Sequence, residues 1–107
     1  MISGLHRGSI WIADLPAPWK RRPTVIVTRD AAIPTLTNVT LVMVTSRIRG
    51  IRTEVLLGPE HGLAQKCVAT SDNIYTLPVE LLVRRVGELG PTKLAELNAA
   101  IRTALDL

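Results

Sequence analysis

Lys20-Arg21-Arg22-Pro23-Thr24-Val25-Ile26-Val27-Thr28 and, farther on, Val39-Thr40-Leu41-Val42-Met43-Val44-Thr45-Ser46-Arg47 are the two stretches that decide how this chain folds. Each is a β-branched apolar run bounded by cations, and the second ends in adjacent hydroxyls. Val, Ile and Thr fit a pleated, half-buried surface, so both runs read as strands. In a folded sheet a guanidinium from one strand end comes near a hydroxyl from the other. That pairing suits an RNA phosphate undergoing cleavage better than a metal, a nucleotide cofactor or a peptide.

Outward from this pair, Gly8 to Leu15 alternates around Ile10, Trp11 and Ile12 and reads as a first strand, ended by Pro16-Ala17-Pro18. Pro23 to Thr28 is the second strand and Asn38 to Ser46 the third, apolar enough to be central. Thr53 to Leu57 is a fourth, closed by Gly58-Pro59, and Cys67 to Ser71 a fifth. Asp72-Asn73 breaks the pattern, which resumes over Ile74 to Leu77. Pro78 to Leu82 suits a single helical turn with Pro at its start, and Arg84 to Leu89 a last strand. Over Pro91 to Leu105, the spacing of Leu94, Leu97, Ile101 and Leu105, widened by Ala100 and Ala104, predicts an amphipathic helix. Short strands followed by one helix predict a mainly β fold with helices (α+β): a strongly bent sheet or small barrel of five to seven strands, capped by the C-terminal helix.

At 107 residues, two separate cores would each be too small, so one domain over 1–107 is expected. A hydrophobic content of 47% excludes a disordered chain. The longest uncharged stretch, Ala31 to Ser46, carries a proline, threonines and an asparagine, a loop and a strand and not a membrane span. His6 and Arg7 leave no room for the apolar core of a signal peptide, so a cytoplasmic protein is expected. Cys67 is alone, which rules out a disulfide or cysteine metal cluster within the chain and suits a small buried hydrophobe.

Charge is unevenly spread. Residues 1–53 hold eight Lys/Arg against Asp14 and Asp30, whereas residues 54–107 hold five against seven acids. Ten of the thirteen cations are Arg, whose planar fork matches phosphate. A basic half beside an acidic one fits a polyanion partner.

Cleaving RNA needs only a general base, a stabilised phosphorane and help for the leaving oxygen, because the 2′-hydroxyl is an internal nucleophile. Arg22, heading a strand, fits charge stabilisation, and Thr45, ending the next, fits a hydroxyl contact to a phosphoryl oxygen. Trp19, beside Lys20-Arg21-Arg22, is placed either to stack on a base or simply to pack. Arg47, Arg49 and Arg52, following Thr45-Ser46, fit contacts to the RNA backbone. His6 and His61 have no second ligand in a metal-binding spacing, and no Gly-rich loop links a strand to a helix, so neither metal nor cofactor is expected.

In order along the chain, Arg7-Gly8-Ser9-Ile10-Trp11-Ile12-Ala13-Asp14-Leu15 is similar to an RGDIxxxDL strand and Arg21-Arg22-Pro23-Thr24-Val25-Ile26-Val27 to an RRPxxxV strand. Val42 to Arg47 resembles a VPxTS ending, Thr53-Glu54-Val55 a TEV strand, and Asp72-Asn73-Ile74 with Thr76-Leu77 a DQIxTI segment. Val86-Gly87-Glu88-Leu89 and the final helix follow the same pattern. Six short motifs in register identify the chain as resembling the MazF/PemK family of toxin endoribonucleases. The resemblance implies an SH3-like barrel, a symmetric homodimer and the toxin role in a type II toxin–antitoxin system. It further implies sequence-dependent, metal-independent cleavage of single-stranded RNA to 2′,3′-cyclic phosphate and 5′-hydroxyl ends, opposed by a cognate antitoxin. The family's catalytic Arg falls on Arg22, its Thr on Thr45, and an acid used by some members on Asp72. Trp19, Lys20, Arg21, Ser46, Arg47, Arg49, Arg52 and Asn73 are the expected RNA contacts.

Three positions depart from the family pattern. The loop from Pro16 to Arg21 is shorter and lacks the usual glycine-serine-glutamate-glutamine stretch, so no acid carries over from it. Ser9 replaces an aspartate, and Thr70 stands where some members have a second Arg. Two other readings remain open on the residues. One is a same-fold toxin that poisons a DNA topoisomerase by protein contact, a class relying on an aromatic-glycine-aliphatic chain end where this chain has Leu105-Asp106-Leu107. The other is a non-catalytic RNA-binding barrel, which leaves the pairing of Arg22 with Thr45 idle.

Overall fold

Residues 2–107 are described by a computed structural model. Six strands, β1 (Ser9–Asp14), β2 (Arg21–Ile26), β3 (Asn38–Thr45), β4 (Glu54–Leu57), β5 (Cys67–Pro78) and β6 (Leu82–Glu88), precede one helix, α1 (Gly90–Leu105). They form a single antiparallel sheet ordered β4-β5-β3-β2-β1-β6. The apolar run over β3 is interior, as expected, and both its faces are covered. Val42 and Val44 join a core with Ile10, Val25 and Ala69 under α1, while Val39, Leu41 and Met43 join a second core with Trp11 and Ile26 on the opposite face.

Helix α1 closes the first core through Leu97 and Ala100, both buried, with Leu94 and Ile101 packed alongside. Burying one leucine fully is worth about 1.5–3 kcal/mol, so this stripe is what docks the helix. Leu105, expected to continue the stripe, is 53% exposed at the last turn, where the chain passes into a left-handed Asp106. At the other end of the sheet Arg7 is a tie. Its guanidinium donates to the Val27 carbonyl and to Asn98 Oδ1 (2.6 Å), joining the segment after β2 to α1. Ser9 is wholly buried, its hydroxyl donating to the His6 carbonyl (2.6 Å) and accepting from the Trp11 indole (3.0 Å).

Two expectations need correction. The pattern break at Asp72-Asn73 does not end a strand, because β5 runs unbroken from Cys67 to Pro78. Against β3, Val42 faces Ile74 but Met43 faces Thr70, so Ser71, Asp72 and Asn73 form an inserted bulge. The bulge also switches faces: Ala69 and Ile74 both meet the helix-side core, whereas Tyr75 and Leu77 meet the other. The second strand begins at Arg21, ahead of the expected Pro23, and Pro23 pairs with Ile12 inside the strand.

The sheet stops short of a hydrogen-bonded barrel. A 3₁₀ turn at Pro59–His61, directly after β4, instead brings that end of the sheet against β6 at the other end. The approach is backbone on backbone. A Cβ at Gly62 would collide with the Val86 carbonyl, and one at Gly87 with the His61 carbonyl.

Candidate functional site

The β2–β3 ladder covers only Thr24 to Ile26 against Leu41 to Met43, and it stops at Pro23, which has no N–H to extend it. Carrying that register onward sets Arg22 across from Thr45, just past the end of the ladder. On the face away from α1, the cross-strand row Thr24, Met43, Thr70, Glu54 lies next to this pair. The bulge in β5 swings Asp72 and Asn73 out on the same side.

These elements enclose a cleft of about 230 Å³ with Met43 and Thr70 in its lining and Arg22, Thr45, Asp72 and Asn73 around them. Trp19, Arg47, Arg49 and Glu54 complete it. Four of its polar side chains are held by hydrogen bonds. Arg22 Nε donates to the Trp19 carbonyl at 3.3 Å. Thr45 Oγ1 accepts the Arg47 backbone N–H at 3.2 Å, which leaves its own proton free to donate outward. Thr53 Oγ1 donates to Asp72 Oδ2 at 2.6 Å. Glu54 Oε1 accepts the backbone N–H groups of Arg49 (3.0 Å) and Gly50 (2.9 Å).

A second concavity of about 380 Å³ adjoins the first and shares Trp19, Arg22 and Thr45 with it. Lys20, Arg21 and Ser46 line it together with the apolar Leu63, Ala64 and Cys67. Arg22 and Thr45 therefore stand between two hollows. Trp19 is 41% exposed there, its ring 5.8 Å from that of Tyr75 at a 58° tilt, so it both packs and presents a face. Lys20, next to it, holds a left-handed backbone at φ 58°.

Of the residues singled out from the sequence, Arg22, Thr45, Asp72, Asn73, Arg47, Arg49 and Trp19 share the first cleft, while Lys20, Arg21 and Ser46 line only the second. Arg52 lines neither, and Arg21 lies 3.9 Å from Asp14, its cross-strand neighbour. Glu54, Thr53, Thr70 and Met43 were not among the site residues read from the sequence. The β4–β5 register that sets Glu54 opposite Thr70 is a tertiary fact, although the acid in Thr53-Glu54-Val55 was the visible signal.

Cys67, buried as expected, has its thiol pushed above the ordinary 9.0 by burial and then by the nearby Glu60 carboxylate. Far from the cleft, the hydrogen bond from Arg85 (2.8 Å) holds the Glu88 carboxyl below the ordinary 4.5, aided by His6 at 2.7 Å. Among the described residues, no three His, Cys, Asp or Glu side chains gather as a metal site, and no helix is long and apolar enough to cross a membrane.

Residues 6–105 match the model of the PemK-like, MazF-like toxins of type II toxin–antitoxin systems. The chain is 42% identical over 88 residues to Endoribonuclease MazF3 of Mycobacterium tuberculosis, covering 82% of this chain and 85% of that one. Its fold is similar to that of the Mycobacterium tuberculosis toxin MazF-mt6, with a TM-score of 0.86, 41% identity, and coverage of 92% and 97% of the two chains. An endoribonuclease in complex with its cognate antitoxin, from a mycobacterial species, is similar at a TM-score of 0.85 and 32% identity, covering 97% of each chain.

Proposed function

The chain belongs to the PemK-like, MazF-like toxin family, and from that premise we propose that the ridge carrying Arg22 and Thr45 is where it cuts RNA. Membership makes it the toxin of a type II toxin–antitoxin pair and an endoribonuclease. One observation carries the assignment of the site: a guanidinium and a free hydroxyl proton, on neighbouring strands, both line the two hollows that meet at this point. A single strand laid across the ridge would put its scissile phosphate on it and a nucleoside on either side.

In this reading the substrate's 2′-hydroxyl attacks the adjacent phosphorus, the P–O5′ bond breaks, and 2′,3′-cyclic phosphate and 5′-hydroxyl ends result without a metal. Arg22 clamps the equatorial oxygens as negative charge builds, a task its fork performs better than proton abstraction, since a guanidinium stays protonated. Thr45 donates to a phosphoryl oxygen. Asp72, held by Thr53, is the carboxylate that takes the 2′-hydroxyl proton, and the departing 5′-oxygen takes a proton from solvent water. Trp19 offers a face for base stacking, and Lys20, Arg21, Ser46, Arg47, Arg49, Arg52 and Asn73 hold the flanking strand.

Residues 1–107 act as one toxin domain, working in the cytoplasm as a homodimer whose groove a cognate antitoxin occupies. The exposed apolar side chains Ile48, Ile51 and Leu56, on the loop and edge strand next to the cleft, support a covered surface there. Incubation of purified protein with a long labelled RNA in chelator, with end-group mapping, tests the chemistry. Breaks bearing 2′,3′-cyclic phosphates are expected. Activity lost in chelator and restored by Mg²⁺, or equal cutting of an all-deoxy strand, would overturn it.

A further inference from the structure

From the hydrogen bonding of the cleft wall we infer that Glu54 is a positioning residue, which holds the segment from Ser46 to Arg52 as a preformed arm for the RNA backbone. The inference rests on the endoribonuclease reading above.

A carboxylate in a hollow meant for a polyanion requires a reason. Residues 46–52 are all exposed and irregular, so packing does little to fix them. Their fixing comes from both ends. At the β3 end the Arg47 N–H is held by Thr45 Oγ1. At the β4 end Glu54 takes the consecutive N–H groups of Arg49 and Gly50, with a further contact from Arg49 to Oε2 at 3.3 Å. Gly50, at φ +73°, adopts the left-handed turn that lets both amides face the same carboxylate. Successive amides so arranged form an anion-binding concavity, and here the anion is the protein's own.

The negative charge of Glu54 is thereby shared with backbone donors and not left bare toward RNA. Glu54 is anchored in turn by its place in β4, opposite the buried Thr70. The two guanidiniums in the cleft lining that come from this arm, Arg47 and Arg49, depend on this hold for their reach. Without it, the arm would have to be ordered when RNA binds, at an entropic cost that appears in binding and not in the chemical step.

The test uses Glu54→Ala and Glu54→Gln beside the wild-type protein, each checked for unchanged melting. Gln keeps an oxygen acceptor at the same reach but loses the charge. In hydrogen exchange without RNA, the Arg49 and Gly50 amides should exchange at least about tenfold faster in the Ala variant, with Gln intermediate. Steady-state cleavage should show KM raised about tenfold in the Ala variant with kcat within a factor of two or three, and most of that loss recovered by Gln. Unchanged exchange in the Ala variant would overturn the inference. So would tighter RNA binding, which would mean that the carboxylate merely repels, or a collapse of kcat at saturating RNA in Glu54→Gln, which would make Glu54 a reacting group. A wild-type protein that cuts no RNA would sink the functional reading instead, and the exchange result would still decide whether Glu54 holds the arm.

Discussion

Arg22 and Thr45 owe their pairing to a proline. Because Pro23 cannot donate to β3, the ladder ends beside it, and its register carried one residue past Pro23 sets Arg22 across from Thr45 on the ridge between the two hollows. Both sit at the end of that ladder and neither fills a core, so Arg22→Ala and Thr45→Val should melt like the parent. Each should nonetheless lose 10²–10³ in cleavage rate, the usual cost of about 2.7–4 kcal/mol for one preorganised transition-state contact. Lys at position 22 should rescue poorly, since it lacks the two-pronged geometry. Wild-type rates in single-turnover assays would refute the pairing. That a cation and a hydroxyl at neighbouring strand ends would line one cleft was legible in the sequence. That Glu54 would take two consecutive backbone amides was not, because only the loop geometry brings them to it.

Cys67 gives the residue scale a pH dependence. Burial, aided by Glu60, raises its thiol above the ordinary 9.0 in the folded state. The neutral thiol is therefore the form the fold prefers: its contribution is complete below the unfolded value and is lost as pH rises through the folded one. Native protein at pH 8 should react with iodoacetamide several-fold more slowly than urea-unfolded protein, as burial and a scarce thiolate both dictate. Equal rates would show the thiol to be open to solvent.

Among the elements, most strands were readable from β-branched alternation, and α1 from its leucine spacing. What alternation could not show was continuity through the bulge. Insertion of Ser71, Asp72 and Asn73 flips the inside–outside pattern of β5, so one strand reads as two pieces with a break. The contact that folds the sheet back on itself was equally hidden, since Gly62 and Gly87 look like ordinary turn and strand glycines. They are where the turn after β4 meets β6, and at both an added methyl strikes backbone that cannot rotate away. Gly62 also sits at φ +88°, a region costing a side chain a further 1–2 kcal/mol or so. Gly62→Ala and Gly87→Ala should each destabilise by about 3 kcal/mol or more. For a domain of this size that lowers Tm by roughly 10 °C or more. Gly50→Ala, with open space around its Cβ position, should cost less. Calorimetry finding Gly87→Ala as stable as the parent would mean that the two ends of the sheet do not touch.

Across the whole molecule, the basic half read from the sequence divides by task. Arg7 is committed to the Val27 carbonyl and Asn98, within the fold. Lys20, Arg21, Arg22, Arg47 and Arg49 gather around the two joined hollows. If these five each meet one phosphate, RNA affinity should fall with salt at a slope of about −3.5 per protomer, and removing Arg47 or Arg49 should lessen it by about 0.7. The same concentration of charge favours an acidic, partly disordered segment of an antitoxin, which would bind by covering Arg22 and Thr45. Such a segment and RNA should then exclude each other, with the competition weakening as salt rises. Homodimer formation would extend the groove over two copies and cover apolar side chains such as Ile51 and Leu56, which stand 45% and 48% exposed. Light scattering at micromolar concentration should report a dimer, and a fluorescent RNA should be released stoichiometrically by the antitoxin at low salt. A stable monomer that still cleaves would defeat the shared groove, and a ternary complex retaining full RNA binding would defeat occlusion.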